Sequence, residues 1–307
     1  MKYSLLSSVA GVAIIAATSP VIAGNDFSGV AQFTAGMGST EASLFGFYGQ
    51  LDDPLSFDGD AKGIWPLSQD IHFQVDLTAE HTDNLVRGGG HESATLFGAT
   101  AHLLHPFENR ARFGLAGSLW DTDLSYLGGD YRPSATYGLA AVEGQFFGSD
   151  WTLTGQAGLF NQFQCSDDCG GSIEDGTYGR AKIRYFLHDN TSLSVEMLQM
   201  WGTINDGAGP FSGKSVTNDY TKWALEAEHR FDASPWSGTL AVSHEQYTVD
   251  LFETSIDTNT VSLGLKFYLD QPTLRAHDRS GAEMDTPNFG YPIKSAGELS
   301  AFYGTPD

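Results

Sequence analysis

The stretch from Thr258 to Leu269, TNTVSLGLKFYL, alternates apolar and polar side chains from Val261 onwards. A β-strand turns successive side chains to opposite faces, so alternation with a period of two is its signature in a sequence. The apolar face consists of Val261, Leu263, Leu265, Phe267 and Leu269. The opposite face consists of Ser262, Gly264, Lys266 and Tyr268. The stretch therefore predicts a strand with one apolar and one polar face.

The same period recurs through most of the chain. The twelve predicted strands are 27–38, 58–66, 70–81, 94–105, 109–120, 135–147, 150–161, 177–187, 190–202, 220–231, 236–247 and 258–269. After the N-terminal region no long apolar run follows, which excludes a helical membrane protein. Twelve is an even number, as closed bacterial membrane barrels require. The sequence predicts an all-β protein, a closed antiparallel barrel.

The connections between these strands alternate between short and long. Five short ones are rich in Pro, Gly, Asn, Asp and Ser, which favour tight turns: 66–70, 106–109, 148–150, 188–190 and 232–235. The long ones lie near 39–57, 82–93, 121–134, 162–176, 203–219 and 248–257. Short periplasmic turns and long outer loops are typical of transmembrane β-barrels.

The apolar faces of the strands indicate contact with lipid. Four examples are the faces at 97–103, 113–119, 151–159 and 181–187. Aromatic residues gather near the short turns, where an interfacial girdle is expected: Trp65, Phe147, Trp151, Tyr185, Phe186, Phe231, Trp236, Phe267 and Tyr268. We expect a transmembrane barrel in the bacterial outer membrane, with its lipid and lipopolysaccharide as partners.

The end of the last strand carries a spacing of polar-x-Gly-x-x-apolar-x-apolar at Ser262, Gly264, Phe267 and Leu269. This spacing resembles the terminal signal that the outer-membrane assembly machinery binds, which implies that machinery as a partner. Together with the strand pattern, it makes nearly the whole mature chain similar to poorly characterised proteobacterial outer-membrane barrels of the porin-like kind. One departure is that the chain continues to Asp307 beyond the final aromatic residues.

The two ends of the chain differ in composition from the barrel. Residues 1–23 have Lys2, an apolar run and the small-residue exit Val21-Ile22-Ala23, which predict a cleaved signal peptide. The alternative, a membrane anchor, needs a longer apolar run. We assign 24–269 to the barrel and 270–307 to a periplasmic tail. The tail loses the period of two, and it either stays disordered, docks under the barrel or partly plugs it. A short helix is expected at 295–302.

The predicted inward faces carry charges of both signs. The candidate lumen-lining residues are Asp76, Arg112, Glu143, Arg180, Lys182, Arg184, Glu196, Lys222, Glu226, Glu228, Arg230 and Lys266. Arg180, Lys182 and Arg184 form a basic ladder on one strand. Such ladders select ions in channels, or they neutralise neighbouring carboxylates as a structural network. Twelve strands lie between the filled eight-stranded barrel and the open porins, so both interpretations stand.

The predicted function is a narrow porin-like channel for small hydrophilic solutes or ions. The alternative is a closed barrel that acts as a structural or surface-interaction module. Acidic residues concentrate in the long connections, where they attract cations, hold divalent cations together with lipopolysaccharide, or form a solvated surface. The net charge of -22 argues against nucleic acid as a partner.

The remaining motifs point to no enzyme and no cofactor. Cys165 and Cys169 bracket three residues in one long connection. In an exported protein this spacing favours a disulfide over half of a metal site, which would need further ligands. The sequence has no G-x-S-x-G and no H-E-x-x-H motif. We therefore predict a protein that is not an enzyme and that binds no metal.

Overall fold

The computed structural model describes residues 27–44, 47–52, 54–85, 91–108, 110–125, 134–166, 173–204, 216–249, 254–269 and 272–287. The predicted signal peptide and the predicted helix at 295–302 lie outside these ranges. Within the described ranges, no helix has the length and apolarity needed to span a membrane.

The structure is a closed antiparallel β-barrel. The strands are β1 Ser28–Leu44, β2 Phe47–Asp52, β3 Leu55–Pro66, β4 His72–Leu85, β5 His91–Phe107, β6 Ala111–Ser125, β7 Ser134–Phe147, β8 Trp151–Ser166, β9 Ile173–His188, β10 Thr191–Ile204, β11 Val216–Arg230, β12 Trp236–Val249 and β13 Thr254–Tyr268. Neighbouring strands pair in chain order, and β13 pairs with β1 from Val30↔Tyr268 to Ser43↔Ser255. The ring of twelve consists of β1 and β3–β13. The predicted fold class is confirmed.

The short strand β2 was not predicted. It pairs only with the second half of β1, and a register shift separates Thr40 from Glu41. The predicted strands also end too early at the long connections; for example, 109–120 extends to Ser125. Backbone pairing continues there after the apolar pattern fades, and exposed polar side chains such as Thr136 and Asp121 hydrogen-bond across strands at 3.1 Å. The alternation of apolar and polar residues therefore reveals only the lipid-facing part of each strand and not its polar extension.

Tight turns close the strands at one end of the barrel, which we call the short-turn end. Between β3 and β4, the amide of Leu67 donates to the carbonyl of Ile71 at 2.8 Å. Between β11 and β12, Ala233 adopts a positive φ of 53°. We call the opposite end the long-connection end.

The outer surface of the barrel is a belt of exposed apolar side chains. Leu103, Leu115, Leu153, Leu193 and Leu263 each expose between 40% and 64% of their area, while their chain neighbours are mostly buried or half-buried. A soluble protein rarely exposes so large a continuous apolar surface. The belt is therefore the surface that faces lipid.

The predicted aromatic girdle needs one correction. Trp151, Tyr185 and Trp236 are exposed at the short-turn end, as expected. Phe186 and Tyr268, however, are only 2% exposed. Each directly follows an outward-facing residue in its strand, so the period of two turns its ring into the lumen.

Candidate functional site

The twelve charged residues predicted to line the lumen lie on the inner side of the barrel. Eight of these residues are less than 9% exposed, and the other four lie in strands whose neighbouring residues mostly face outward. The buried ones are Asp76, Arg112, Glu143, Arg180, Arg184, Glu228, Arg230 and Lys266. The half-buried ones are Lys182, Glu196, Lys222 and Glu226.

Residues 272–287 lie inside the barrel at the short-turn end, and we call them the plug. The plug begins with a short helix, α1 Leu274–Ser280, whose N-cap Thr273 accepts a hydrogen bond from the amide of Ala276. Thr, which accepts such bonds well, is a favoured N-cap. The helix was not predicted, although Thr273 and the following Gly281 were visible signals of its two ends.

The inner wall binds the backbone of the plug. Arg112 on β6 donates to the carbonyls of Gly281 at 3.0 Å and Arg279 at 2.7 Å. A guanidinium at this position satisfies carbonyls at the end of α1 that have no partner within the helix. Gln74 on β4 donates to the carbonyl of Met284 at 2.6 Å. Both strands thus bind the main chain of the plug.

Asp285 of the plug joins opposite walls of the barrel. Its carboxylate pairs with Lys62 on β3 and, on β9, with Arg180 at 3.0 Å and Lys182 at 2.9 Å. β3 and β9 are six strands apart in either direction around the ring of twelve. One acidic side chain therefore crosses the lumen between strands that face each other.

A second ionic contact lies closer to the turns. One guanidinium nitrogen of Arg184 contacts Asp278 at 3.0 Å and Glu283 at 2.5 Å. The hydroxyl of Thr152 on β8 also donates to Asp278. All three ionic side chains are less than 9% exposed, and a buried charge is tolerated only when it is paired and hydrogen-bonded.

Apolar contacts also hold the plug against the barrel wall. Leu274 of α1 packs in a buried cluster with Val30, Phe186 and Tyr268 on β1, β9 and β13. The inward rings of Phe186 and Tyr268 therefore support the plug. A second cluster joins the plug to β3 and β5 through Ala282, Met284, Ile64 and Leu104.

The electrostatic surroundings shift the pKa values of the three plug carboxyls in different directions. Burial alone would raise the pKa of Asp285, but Lys182, Lys62 and Arg180 together hold it well below its usual range. Burial also acts to raise the pKa of Glu283, but the neighbouring positive charges, chiefly that of Arg184, lower it to about 2. The pKa of Asp278 is raised, because burial and the charge of Glu283 outweigh Arg184.

A buried triad of wall residues adjoins the plug. His102 on β5 contacts Asp76 through Nε2 at 3.1 Å and Glu143 through Nδ1 at 2.9 Å, and its side chain is fully buried. Both nitrogens of an imidazole donate only in its charged form, so two carboxylates favour imidazolium. Gln156 links the triad to the plug by donating to Glu143 at 2.9 Å and to the carbonyl of Asp285 at 2.8 Å.

The other charged wall residues pair mainly with one another. Lys266 contacts Glu228 at 2.9 Å and Glu226 at 3.3 Å. Lys222 contacts Glu245 at 3.1 Å, and Arg180 contacts Glu196 at 2.5 Å. Arg230 donates to the carbonyl of Ser234 at 3.0 Å. The sequence identified these residues but not their partners, which lie on the adjacent strand, two strands away or in the adjoining turn.

Towards the long-connection end, the inner wall changes from charged to aromatic and apolar. This layer of inward-facing side chains, each less than 8% exposed, consists of Leu96, Trp120, Tyr137, Phe160, Tyr178, Met200, Tyr220 and Tyr247. We call it the aromatic layer. The sequence did not predict this layer, because the charge pattern marks only the ionic members of each inward face.

Two further predictions have no test among the described residues. Ser262, Gly264 and Phe267 lie in β13 and Leu269 directly follows it, which leaves their role in assembly a prediction. Cys165 lies in β8, but Cys169 is outside the described residues, so the disulfide stays a prediction as well. In the described part of the chain, no cluster of three or more His, Cys, Asp or Glu side chains is arranged to hold a metal ion.

Comparison with known proteins identifies the fold. No protein-family model and no curated protein matches the chain. An outer membrane channel from Pseudomonas putida F1 is similar in structure, with a TM-score of 0.55 at 15% identity over 80% of this chain and 97% of that chain. The translocator domain of the autotransporter NalP from Neisseria meningitidis is a more distant similarity, with a TM-score of 0.45 at 13% identity over 84% of this chain and 93% of that chain. At 15% identity the similarity to the Pseudomonas putida channel shows the fold alone, which is a closed transmembrane β-barrel of the bacterial outer-membrane kind.

Proposed function

We propose that this protein is a channel for small hydrophilic solutes or ions whose short-turn end is closed by its own plug. The observation that carries the proposal is the position of Asp285 between β3 and β9. A barrel whose interior served only as a structural core would need no separate polar segment bound to its wall. The similar fold of an outer membrane channel agrees with this proposal.

The polar wall behind the plug supports a hydrated path. Removal of residues 272–287 would uncover a belt of charged and amide side chains on β3, β4, β6, β8 and β9. Buried charges without partners are costly in a dry interior, so water would enter the space that the plug leaves. The aromatic layer narrows the other half of the lumen and would limit the size of the solute.

Planar-bilayer recording tests the proposal with two truncations. Deletion of residues 272–307 removes the plug, and deletion of residues 288–307 is the matched control that retains it. We expect the first truncation to conduct at least several times more current than the full chain, and the control to conduct like the full chain. The acidic long connections should concentrate cations at that mouth of the channel, an effect that fades as salt screens them.

The outcome that would contradict the proposal is a folded, inserted barrel without residues 272–307 that passes no current. That result would favour the alternative, a closed barrel that acts as a structural or surface-interaction module. The heat-modifiable migration of folded barrels in electrophoresis serves as the check that each variant is folded.

Two partner proposals follow from the location. We propose that Ser262, Gly264, Phe267 and Leu269 present the assembly signal before β13 closes on β1, and that lipopolysaccharide, with divalent cations, surrounds the acidic long connections. Several of those acidic residues lie outside the described ranges, and this second proposal rests on the sequence.

A further inference from the structure

Four basic side chains of the wall have all their polar partners in the plug. In the described residues, every side-chain hydrogen bond and ion pair of Lys62, Arg112, Lys182 and Arg184 is made with the plug. Lys222 and Lys266 differ, because wall glutamates already neutralise them. The plug therefore acts as the counter-ion of one particular set of bases.

The acidic wall residues near this set are engaged elsewhere. Asp76 and Glu143 bind His102, Glu196 binds Arg180, and Asp60 accepts a hydrogen bond from Thr78 at 2.7 Å. Among the described residues, no wall carboxylate forms an ion pair with Lys62, Arg112, Lys182 or Arg184. Without the plug, these four bases would therefore lose their directly paired carboxylates.

We propose that Lys62, Arg112, Lys182 and Arg184, together with Arg180, form an anion-binding site of the open lumen, and that its ligands are small solutes with two or three carboxylates. The plug occupies this site with its own carboxylates. The inference rests on the proposed channel function, because it names the class of solute for which the lumen is built.

The geometry of the plug supports carboxylates as the ligand class. Glu283 and Asp278 share one nitrogen of Arg184, while Asp285 lies among Lys62, Arg180 and Lys182. The wall therefore holds carboxylates at two separate places. Charge-assisted hydrogen bonds of this kind are short and are roughly twice as strong as neutral ones. A solute with a carboxylate at each end can bind both places at once.

The same bases cannot serve the plug and a solute together. Removing one partner of a buried ion pair is strongly destabilising, because the remaining charge is left without compensation. A solute that supplies carboxylates offsets this cost when the plug leaves. Solute and plug therefore compete, and binding of the solute favours the open lumen.

The test uses the full chain with the three plug carboxylates replaced by amides, Asp278→Asn, Glu283→Gln and Asp285→Asn. These changes conserve shape but leave the bases without anions. Isothermal titration in detergent measures the binding of citrate, a tricarboxylate. We expect this variant to bind citrate at least roughly tenfold more tightly than the natural chain, a ratio that corresponds to about 1.4 kcal/mol.

Two controls make the result specific. Adding Lys182→Gln and Arg184→Gln to the amide variant should weaken citrate binding by roughly tenfold or more. The change Asp150→Asn with Asp189→Asn removes acidic partners of the more exposed Arg275 at the turns. That second variant should bind citrate no better than the natural chain. The trimethyl ester of citrate, which has no charge, should bind none of these proteins.

The proposal is overturned if the amide variant binds citrate no more tightly than the natural chain, or if binding survives Lys182→Gln with Arg184→Gln. Should the amide variant fail to fold, Asp285→Asn alone replaces it, and a citrate-dependent rise of its unfolding temperature is the expected result. Titration does not require conduction. Binding without current would therefore contradict only the channel, and current without binding would contradict only the carboxylate site.

Discussion

Asp285 is the plug residue that joins opposite walls of the barrel. It is the plug side chain whose carboxylate reaches both β3 and β9, and its depressed pKa shows that the surrounding bases favour its charged form. The sequence could not identify it, since Asp285 lies in a segment without periodicity and its partners are more than 100 positions away in the chain.

The aromatic layer leads to a prediction at a single glycine. Gly98 lies beneath the ring of Trp120, and a Cβ atom at position 98 would lie 2.4 Å from a ring carbon. Overpacking of this kind typically costs about 1 to 3 kcal/mol. We expect Gly98→Ala to lower the temperature at which the barrel loses its heat-modifiable migration.

The matched control for that substitution is Gly179→Ala on β9. No atom beyond its chain neighbours lies within 4 Å of a Cβ placed at position 179, so this variant should unfold at the temperature of the natural chain. Equal effects of the two substitutions would show that Trp120 is not packed against Gly98.

Among the elements, the strands could be predicted and the plug could not. A strand that faces lipid on one side and the lumen on the other records both environments in a period of two, as in Thr258 to Leu269. The plug is surrounded by the barrel wall, so no period of two marks it in the sequence. It was expected only as one of three alternatives for the tail, which were disorder, docking under the barrel and partial plugging of the barrel. α1 has seven residues, and helices this short depend on tertiary contacts such as those of Leu274.

The docking of the plug should weaken in acid. Asp285 and Glu283 have lowered pKa values in the docked state, so their stabilisation is present above the ordinary pKa values of 3.8 and 4.5 and is lost as the pH falls below them. Asp278 has a raised pKa and acts in the opposite direction, because its protonation favours the docked state. The two carboxyls with lowered pKa values outnumber the one with a raised pKa. We therefore expect the plug to be released below about pH 4, with release continuing towards the pKa of about 2 of Glu283.

Limited proteolysis of the tail in detergent, measured against pH with an acid-stable protease, follows this release. Glu283→Gln removes one of the two groups and should make the change with pH shallower. A plug that becomes better protected as the pH falls from 5 to 2 would contradict the assignment of these ion pairs.

Considered as a whole molecule, the barrel combines three layers along its axis. The plug and its bases fill the short-turn end, charged pairs such as Lys222 with Glu245 line the middle, and the aromatic layer lies towards the long connections. The lipid-facing belt was predictable because every strand contributes to it. Pairing across the lumen was not, because it joins strands that are far apart in sequence.

The central claim is that the tail lies within the lumen and closes it. Cross-linking of a residue of the barrel wall to a residue of the plug tests this claim most directly. In a chain with Cys165→Ser, Cys169→Ser, Ile64→Cys and Ala282→Cys, the two new thiols lie in one buried cluster and every ion pair of the plug is kept. A short bismaleimide added to outer membranes should join positions 64 and 282 in most molecules. Leu67→Cys in place of Ile64→Cys, at an exposed turn position, is the control and should give little product. Equal yields at positions 64 and 67, or none at 64, would show that the tail lies outside the barrel and would contradict the account.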